Sequence, residues 1–184
     1  MIPDVFIYED LDVERIAKYI ERQKIAREYL KNPWSVLLLD DCVDESKDLN
    51  NKHVKAMFKK GRHYKSWFIL SLQQSLDLPK NIRNSVDGVF ILKETNFEAR
   101  QSLYKNYANT TLFPDFKSFC DVLDQITDDY TALYMHNYGI TTSNMEDSVF
   151  WYKASKVPDN FKFGSKDYWA FNHQRYDPNY QRNF

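Results

Sequence analysis

Glycine is scarce in this chain. The 184 residues contain four, Gly61, Gly88, Gly139 and Gly164, and none precedes Gly61. A loop that cradles phosphate needs glycines ahead of an acidic strand, so that its backbone N–H groups can converge on the phosphates. No G-x-x-x-x-G-K-[ST] string occurs. Cysteine is also scarce. Cys42 and Cys120 suggest no disulfide framework and point to a reducing compartment. The four histidines have no ligand spacing with cysteine, which argues against zinc. The formal net charge is −1, so no overall basic field argues for nucleic acid, although a local basic patch remains open. No apolar run is long enough to span a membrane, the N-terminus has no signal-peptide pattern, and no internal repeat is visible.

What the chain does have is the stretch Val36-Leu37-Leu38-Leu39-Asp40-Asp41-Cys42. A short continuous apolar run reads as a strand buried on both faces, as in a parallel α/β sheet. Two acids at its C-terminal end stand where α/β folds bind ligands. This is the form of a Walker B strand. A buried strand ending in a solvated acidic turn explains the same string, so the rest of the chain has to decide.

Taken in order, Asp4–Tyr8 reads as a strand ending at Glu9-Asp10. A helix over about 12–31 follows, with Val13, Ile16, Ala17 and Ile20 on one face. Glu14–Lys18 and Lys24–Glu28 are i,i+4 pairs on its wet side, and Asn32-Pro33 stops it. After the Trp34–Leu39 strand, a helix near 51–60 ends at Gly61. Arg62-His63-Tyr64-Lys65 leads into a strand over 66–72 that runs into Gln73-Gln74-Ser75. Pro79 begins a short helix carrying Ile82 and Arg83. A strand over 89–92 comes next. Thr95-Asn96-Phe97-Glu98 reads as a capping box, and Pro114 as the first turn of another helix. There Phe116, Phe119, Val122, Leu123 and Ile126 make a core stripe. Strands over 131–136 and 148–152 have no helix between them and are candidates for antiparallel pairing at an edge. From about residue 155 the pattern fades into an extended tail rich in aromatics. Its rings and basic residues could grip single-stranded nucleic acid; docking on the domain or on a neighbouring subunit is the favoured reading.

The alternation of strands and helices predicts an α/β fold, a mostly parallel sheet with helices on both faces, divided as residues 1–154 and a tail, 155–184. In such a sheet the C-terminal ends of the strands share one rim. That rim would gather Glu9-Asp10, Asp40-Asp41, Gln73-Gln74 and Lys93-Glu94. Asp40 is then the candidate Mg²⁺ ligand, and Asp41 the group that polarises an attacking water. Gln73 or Gln74 would hydrogen-bond a γ-phosphate or that water. Arg62 and Arg83 are the cationic candidates for a transferring phosphoryl group. Each glutamine also reads as a strand-end cap, and each arginine as an ordinary surface residue.

The ordered series Leu37-Leu38-Leu39-Asp40-Asp41, Lys60-Gly61-Arg62-His63-Tyr64, Ser71-Leu72-Gln73-Gln74 and Leu78-Pro79 to Ile82-Arg83-Asn84 resembles the poxvirus-type genome-packaging ATPases of large DNA viruses. These are motors of the HerA–FtsK group of P-loop NTPases. Phe150-Trp151-Tyr152-Lys153-Ala154 and Phe161-Lys162-Phe163-Gly164 resemble the C-terminal part of that family. The resemblance covers most of the chain. It implies a RecA-like core, ATP and Mg²⁺ as cofactors, and ATP hydrolysis coupled to moving double-stranded DNA into a capsid. It further implies action as a homo-oligomer or with a P-loop-containing chain, capsid or portal partners, and a location in the viral factory of the infected-cell cytoplasm or in the virion. By the same analogy Asp40 and Asp41 are the Walker B acids, Gln73 the polar sensor, and Arg62 a trans-acting finger.

The departure is the family's first strand, P-loop lysine and following helix, which have no counterpart here. The expectation is a core lacking its first strand, with a gapped or rearranged sheet and exposed apolar edges, and without ATPase activity of its own. Two other functions fit. One is a catalytically inert interaction module or degenerate paralogue of the motor. The other is a metal-dependent nuclease using Glu9, Asp10, Asp40 and Asp41.

Overall fold

A computed structural model describes residues 1–42, 48–72, 78–108, 112–137 and 145–177. The chain divides into two compact units. The larger is Leu11–Ala154; the smaller joins Met1–Asp10 to the segment from Ser155 onward.

In the larger unit, helix α1 (Val13–Tyr29) is opened by Asp12, whose carboxylate accepts from the N–H groups of Glu14 at 2.9 Å and Arg15 at 3.3 Å. Its apolar stripe buries Ile16 and Ile20. Its surface ion pairs include Arg15–Asp12 at 3.0 Å and Lys24–Glu21 at 2.7 Å, both one residue closer than the expected i,i+4 spacing. Strand β1 (Ser35–Asp40) and strand β2 (Ser66–Ser71) pair in parallel, Ser35 opposite Ser66 and Asp40 opposite Ser71. Between them lies helix α2 (Lys52–Lys60), capped by Asn51 accepting from His53 N–H at 2.8 Å. Gly61 ends α2 with right-handed backbone angles. It is needed for space instead: a Cβ there would lie 2.7 Å from the carbonyl oxygen of Met57.

Two polar side chains, one partly buried and one buried, hold α1 to this pair. The Tyr19 hydroxyl lies 2.6 Å from both Ser35 Oγ and Ser66 Oγ, at the first residue of each strand. The buried Gln23 amide donates to the carbonyls of Pro33 at 2.9 Å and Tyr64 at 3.0 Å. Around them Ile16, Ile20, Leu39, Val54 and Met57 form one core, with Leu37, Phe68 and Leu70 packed against it.

The second half is antiparallel. Short helix α3 (Lys80–Arg83) leads to strand β3 (Gly88–Ile91). Helix α4 (Phe97–Leu103), capped by Asn96, and helix α5 (Phe116–Ile126), capped by Asp115, follow. Strands β4 (Thr131–His136) and β5 (Val149–Lys153) complete the sheet, in the order β3-β4-β5. Ile91, Phe113, Phe119, Leu123, Leu133 and Met135 form a second core.

The expected α/β class therefore holds, with the parallel pair at the acidic strand and the antiparallel edge at β4–β5. The sheet is divided into two. Strand β3 also runs antiparallel to its neighbour, so the antiparallel share exceeds the expectation: four apolar residues signal burial and carry no information on direction.

Three local expectations are corrected. Asp4–Phe6 is a turn of 3₁₀ helix rather than part of a strand. Pro114 precedes the α5 cap instead of sitting in the first turn. The segment read as extended contains helix α6 (Lys166–Arg175), opened by Ser165, whose Oγ accepts from Tyr168 N–H at 3.3 Å. In this smaller unit Phe6 packs edge-on to Tyr168 at 5.0 Å and stacks with Phe171 at 5.9 Å. Val5 N–H donates to the buried Asn172 Oδ1 at 3.0 Å.

Candidate functional site

The acidic pair ends β1 because the aliphatic run before it is drawn into the first core. Leu39 is buried, and the strand reaches the surface with Asp40, which is exposed. Asp41 leaves the strand at φ +49, in the left-handed region that aspartate adopts more readily than most residues. Its N–H still donates to Ser71 O at 3.3 Å. Both acids thus stand at the C-terminal end of a parallel pair, beside the last residue of β2. Gln73 and Gln74, two and three residues further along, lie outside the described residues.

Two adjacent exposed carboxylates are hard oxygen donors of the kind Mg²⁺ takes when phosphate oxygens and water complete its shell. Among the described residues no group of three or more His, Cys, Asp or Glu side chains is gathered to hold a metal. This arrangement suits a metal brought with a phosphate better than a cage built wholly of protein. Glu9 and Asp10 belong to the smaller unit, whereas Asp40 and Asp41 belong to the larger.

Arg62 stands elsewhere. Arg62 lies in the turn before β2, where Ser66 N–H donates to Gly61 O at 2.9 Å. That is the end of the parallel pair opposite the acids, about 16 Å away along a six-residue strand. Its guanidinium forks onto Asp87, with Nε 3.1 Å from Oδ2 and Nη2 bonded to Oδ1. Arg83, on α3, is half-buried and donates to Asn106 Oδ1. Asn106 in turn donates to Ser102 Oγ at 3.1 Å. The structure brings Asp40 and Asp41 together and does not bring Arg62 to them within one chain. Sequence reasoning missed Asp87 as the partner of Arg62, since 25 residues and a helix separate the two. A shallow groove between the starts of α1 and α2, lined by Val13, Ala17, Asn51 and His53, includes none of these residues.

No known protein-family model matches the chain. It is 46% identical over 171 residues to protein 088R of Invertebrate iridescent virus 3, covering 91% of this chain and 64% of that protein. It is 42% identical over 185 residues to protein 075L of Invertebrate iridescent virus 6, covering 100% of this chain and 71% of that protein. The chain thus spans less than two thirds of the first relative. Among solved structures it is similar to the genome packaging NTPase B204 of Sulfolobus turreted icosahedral virus 2, in complex with AMPPCP. The TM-score is 0.58 at 13% identity, over 82% of this chain and 66% of that one. That likeness is one of fold.

Proposed function

The chain belongs to the family of the iridovirus proteins 088R and 075L, and on that premise we propose that it is the acidic half of a viral genome-packaging ATPase. The observation that carries this reading is the placing of Asp40 and Asp41 at the C-terminal end of parallel strand β1, in register with a strand that runs into Gln73-Gln74. The shared fold with a packaging NTPase supports it.

Asp40 would hold Mg²⁺, which would supply positive charge to neutralise the phosphates. Asp41 orients and deprotonates the attacking water. Gln73, with Gln74 beside it, hydrogen-bonds the terminal phosphate without neutralising it. Arg83 contributes cationic charge to the nucleotide. Arg62 stands too far from the acids to serve its own subunit, so its role belongs to the site of a neighbouring copy, where it would have to leave Asp87. The chain lacks the glycine-rich phosphate loop, so nucleotide binding requires a P-loop segment from elsewhere in the longer family proteins or from another chain. The work done is translocation of double-stranded DNA into a capsid, in the viral factory or virion, by an oligomer docked on capsid or portal proteins.

The test is ATP turnover by full-length protein 075L with the residue aligned to Asp41 changed to Asn. Magnesium-dependent hydrolysis falling by about 10²–10⁴-fold is expected. Turnover indifferent to that change removes the role given to Asp41. A second reading, an inert interaction module, is favoured by the open apolar faces of both sheets. Calorimetry with an ATP analogue on 075L separates the two, because an inert module binds none.

A further inference from the structure

The start of the parallel pair is the reverse of its acidic end in charge. Lys59 and Lys60 close α2. The turn after them folds back, with Tyr64 N–H donating to Lys60 O and Lys65 N–H to Arg62 O, each at 3.0 Å. Arg27 reaches across from α1 and donates to His63 O at 2.5 Å. Ser35 N–H donates to Lys65 O at 3.0 Å, which sets Lys65 beside the entry to β1. There its ammonium lies over the Trp34 ring, 5.4 Å from the centroid. Trp34 and Trp67 stand on either side of the first register pair, Ser35–Ser66. By strand alternation Trp67 points away from the first core, which Phe68 and Leu70 pack against. Trp34 is 55% and Trp67 62% exposed.

The negative end of a helix favours cations, which accounts for Lys59 and Lys60 as parts of α2. It does not account for Lys65. That residue holds φ +53, in the left-handed region where glycine or asparagine costs least, yet it carries a long cation into the open. Among the described residues no carboxylate pairs with Lys59, Lys60 or Lys65, whereas Lys24, Lys93, Arg100 and Lys153 each have one. Arg62, in the same turn, is taken by Asp87. Asp40 and Asp41 stand about 16 Å away at the far end of the strands. The net charge of −1 therefore conceals a local basic surface.

We infer that the starting end of the parallel pair is a contact site for single-stranded nucleic acid, with Lys59, Lys60 and Lys65 on phosphates and Trp34 and Trp67 under bases. Such a strand repeats one flat ring and one anion, and it is gripped where exposed aromatic rings stand among cations. Trp34 and Lys65 supply that pair in direct contact. A duplex fits less well, because its bases are stacked inside and offer no face to a tryptophan. An acidic peptide would use the lysines and leave both rings without a partner. A membrane surface fits less well, because there lysines reach away from the buried ring toward the headgroups, and here the ammonium covers the ring. The site rests on these residues and not on the packaging-ATPase reading.

The test is binding of a fluorescein-labelled oligothymidylate of about 16 nucleotides to this chain, followed by anisotropy over a salt series. Saturable binding with quenched tryptophan emission is expected. The affinity should fall with salt at a log–log slope of about −2, from three phosphates at about −0.7 each. Lys59→Gln together with Lys60→Gln, at exposed positions, should weaken binding and bring the slope to about −0.7. Lys65→Asn supplies a residue that tolerates left-handed backbone, so binding should weaken while the thermal melt does not fall. Trp34→Ala should weaken binding about tenfold or more and leave the salt slope as it was. Absence of binding overturns the inference, as does binding unmoved by the lysine changes or unmoved by Trp34→Ala. A duplex of the same length bound as tightly as the single strand overturns it, and so does tighter binding to phosphatidylserine vesicles or to polyglutamate. None of these measurements involves ATP, so their outcome is separate from the test of Asp41.

Discussion

Gly88 shows what a single missing side chain does here. The residue opens β3 directly opposite His136, and the Tyr134 ring lies over its backbone. A Cβ at Gly88 would sit 2.3 Å from Tyr134 Oη. The ring is held there by Phe90 at 4.5 Å and by a 3.1 Å hydrogen bond between its hydroxyl and His136 Nδ1. Burial pushes the Tyr134 phenol above its ordinary value, with the charge of Asp87 adding to the effect. Gly88→Ala must therefore displace a ring that has packing on its other side, and is expected to cost about 1–3 kcal/mol in urea unfolding. Combining it with Tyr134→Ala removes the obstacle, so the two changes together should cost less than their sum. Strict additivity would show that the ring is not what excludes a side chain at this position.

At the scale of elements, α5 has its electrostatics concentrated in two carboxylates. Asp115 caps it, accepting from Ser118 N–H at 2.7 Å, and that hydrogen bond holds its carboxyl below the ordinary value of 3.8. Asp124 is likewise lowered by its hydrogen bonds from Arg100, which reaches across from α4 with Nη1 2.9 Å from Oδ2. A carboxyl lowered on folding stabilises the protein above its unfolded value, and the gain is lost as pH falls through the folded one. Both contributions should therefore be intact above about pH 5 and fade below about pH 4. Thermal melts across that range should show a shallower acid loss for Asp115→Ala and for Asp124→Asn than for the parent chain. An unchanged acid slope in both variants would assign the loss to other groups. These same elements show what was legible in the sequence. The aliphatic run to Leu39 and the stripe from Phe116 to Ile126 announced their elements, because burial demands an apolar pattern at the period of the backbone. Thr95-Asn96-Phe97-Glu98 marked the start of α4 through its capping chemistry, whereas the cap of α5, Asp115, was overlooked beside Pro114. Val5-Phe6-Ile7-Tyr8 misled, because an apolar run does not say whether it will join a ladder. Helix α6 escaped because its rings keep no helical period. Ser165, with Asp167 two residues on, was the available signal. Within the candidate site the Asp40–Asp41 pairing was legible from adjacency. The Arg62–Asp87 fork was not, since it depends on how β2 and β3 are brought into one unit.

At the scale of the molecule, two bodies of unequal kind share the chain. The larger holds two cores, each under one face of a sheet. Within the smaller, hydrogen bonds tie the first residues to the segment after Ser155. The Met1 amino group donates to Phe161 O at 2.7 Å, Phe163 N–H donates to Met1 O at 2.8 Å, and Trp169 Nε1 donates to Phe163 O at 3.0 Å. Asn172, 4% exposed, is a buried polar group at its centre. Its Oδ1 satisfies Val5 N–H and fixes the first turn of the chain onto α6. Among the described residues neither buried core cluster draws on this body, so little apolar burial compensates there for a lost hydrogen bond. Asn172→Ala leaves the Val5 amide without its acceptor, at a cost of about 1–3 kcal/mol, which is comparable to the whole stability such a body can have. Opening should then be local. Amides of residues 1–10 and 155–177 should exchange faster, while those of β1, β2 and β4 keep the rates of the parent chain. Hydrogen exchange read by mass spectrometry at peptide resolution decides the matter. Acceleration spread evenly over both bodies would show that they unfold as one, and no acceleration anywhere would show that Asn172 is not what binds the first turn.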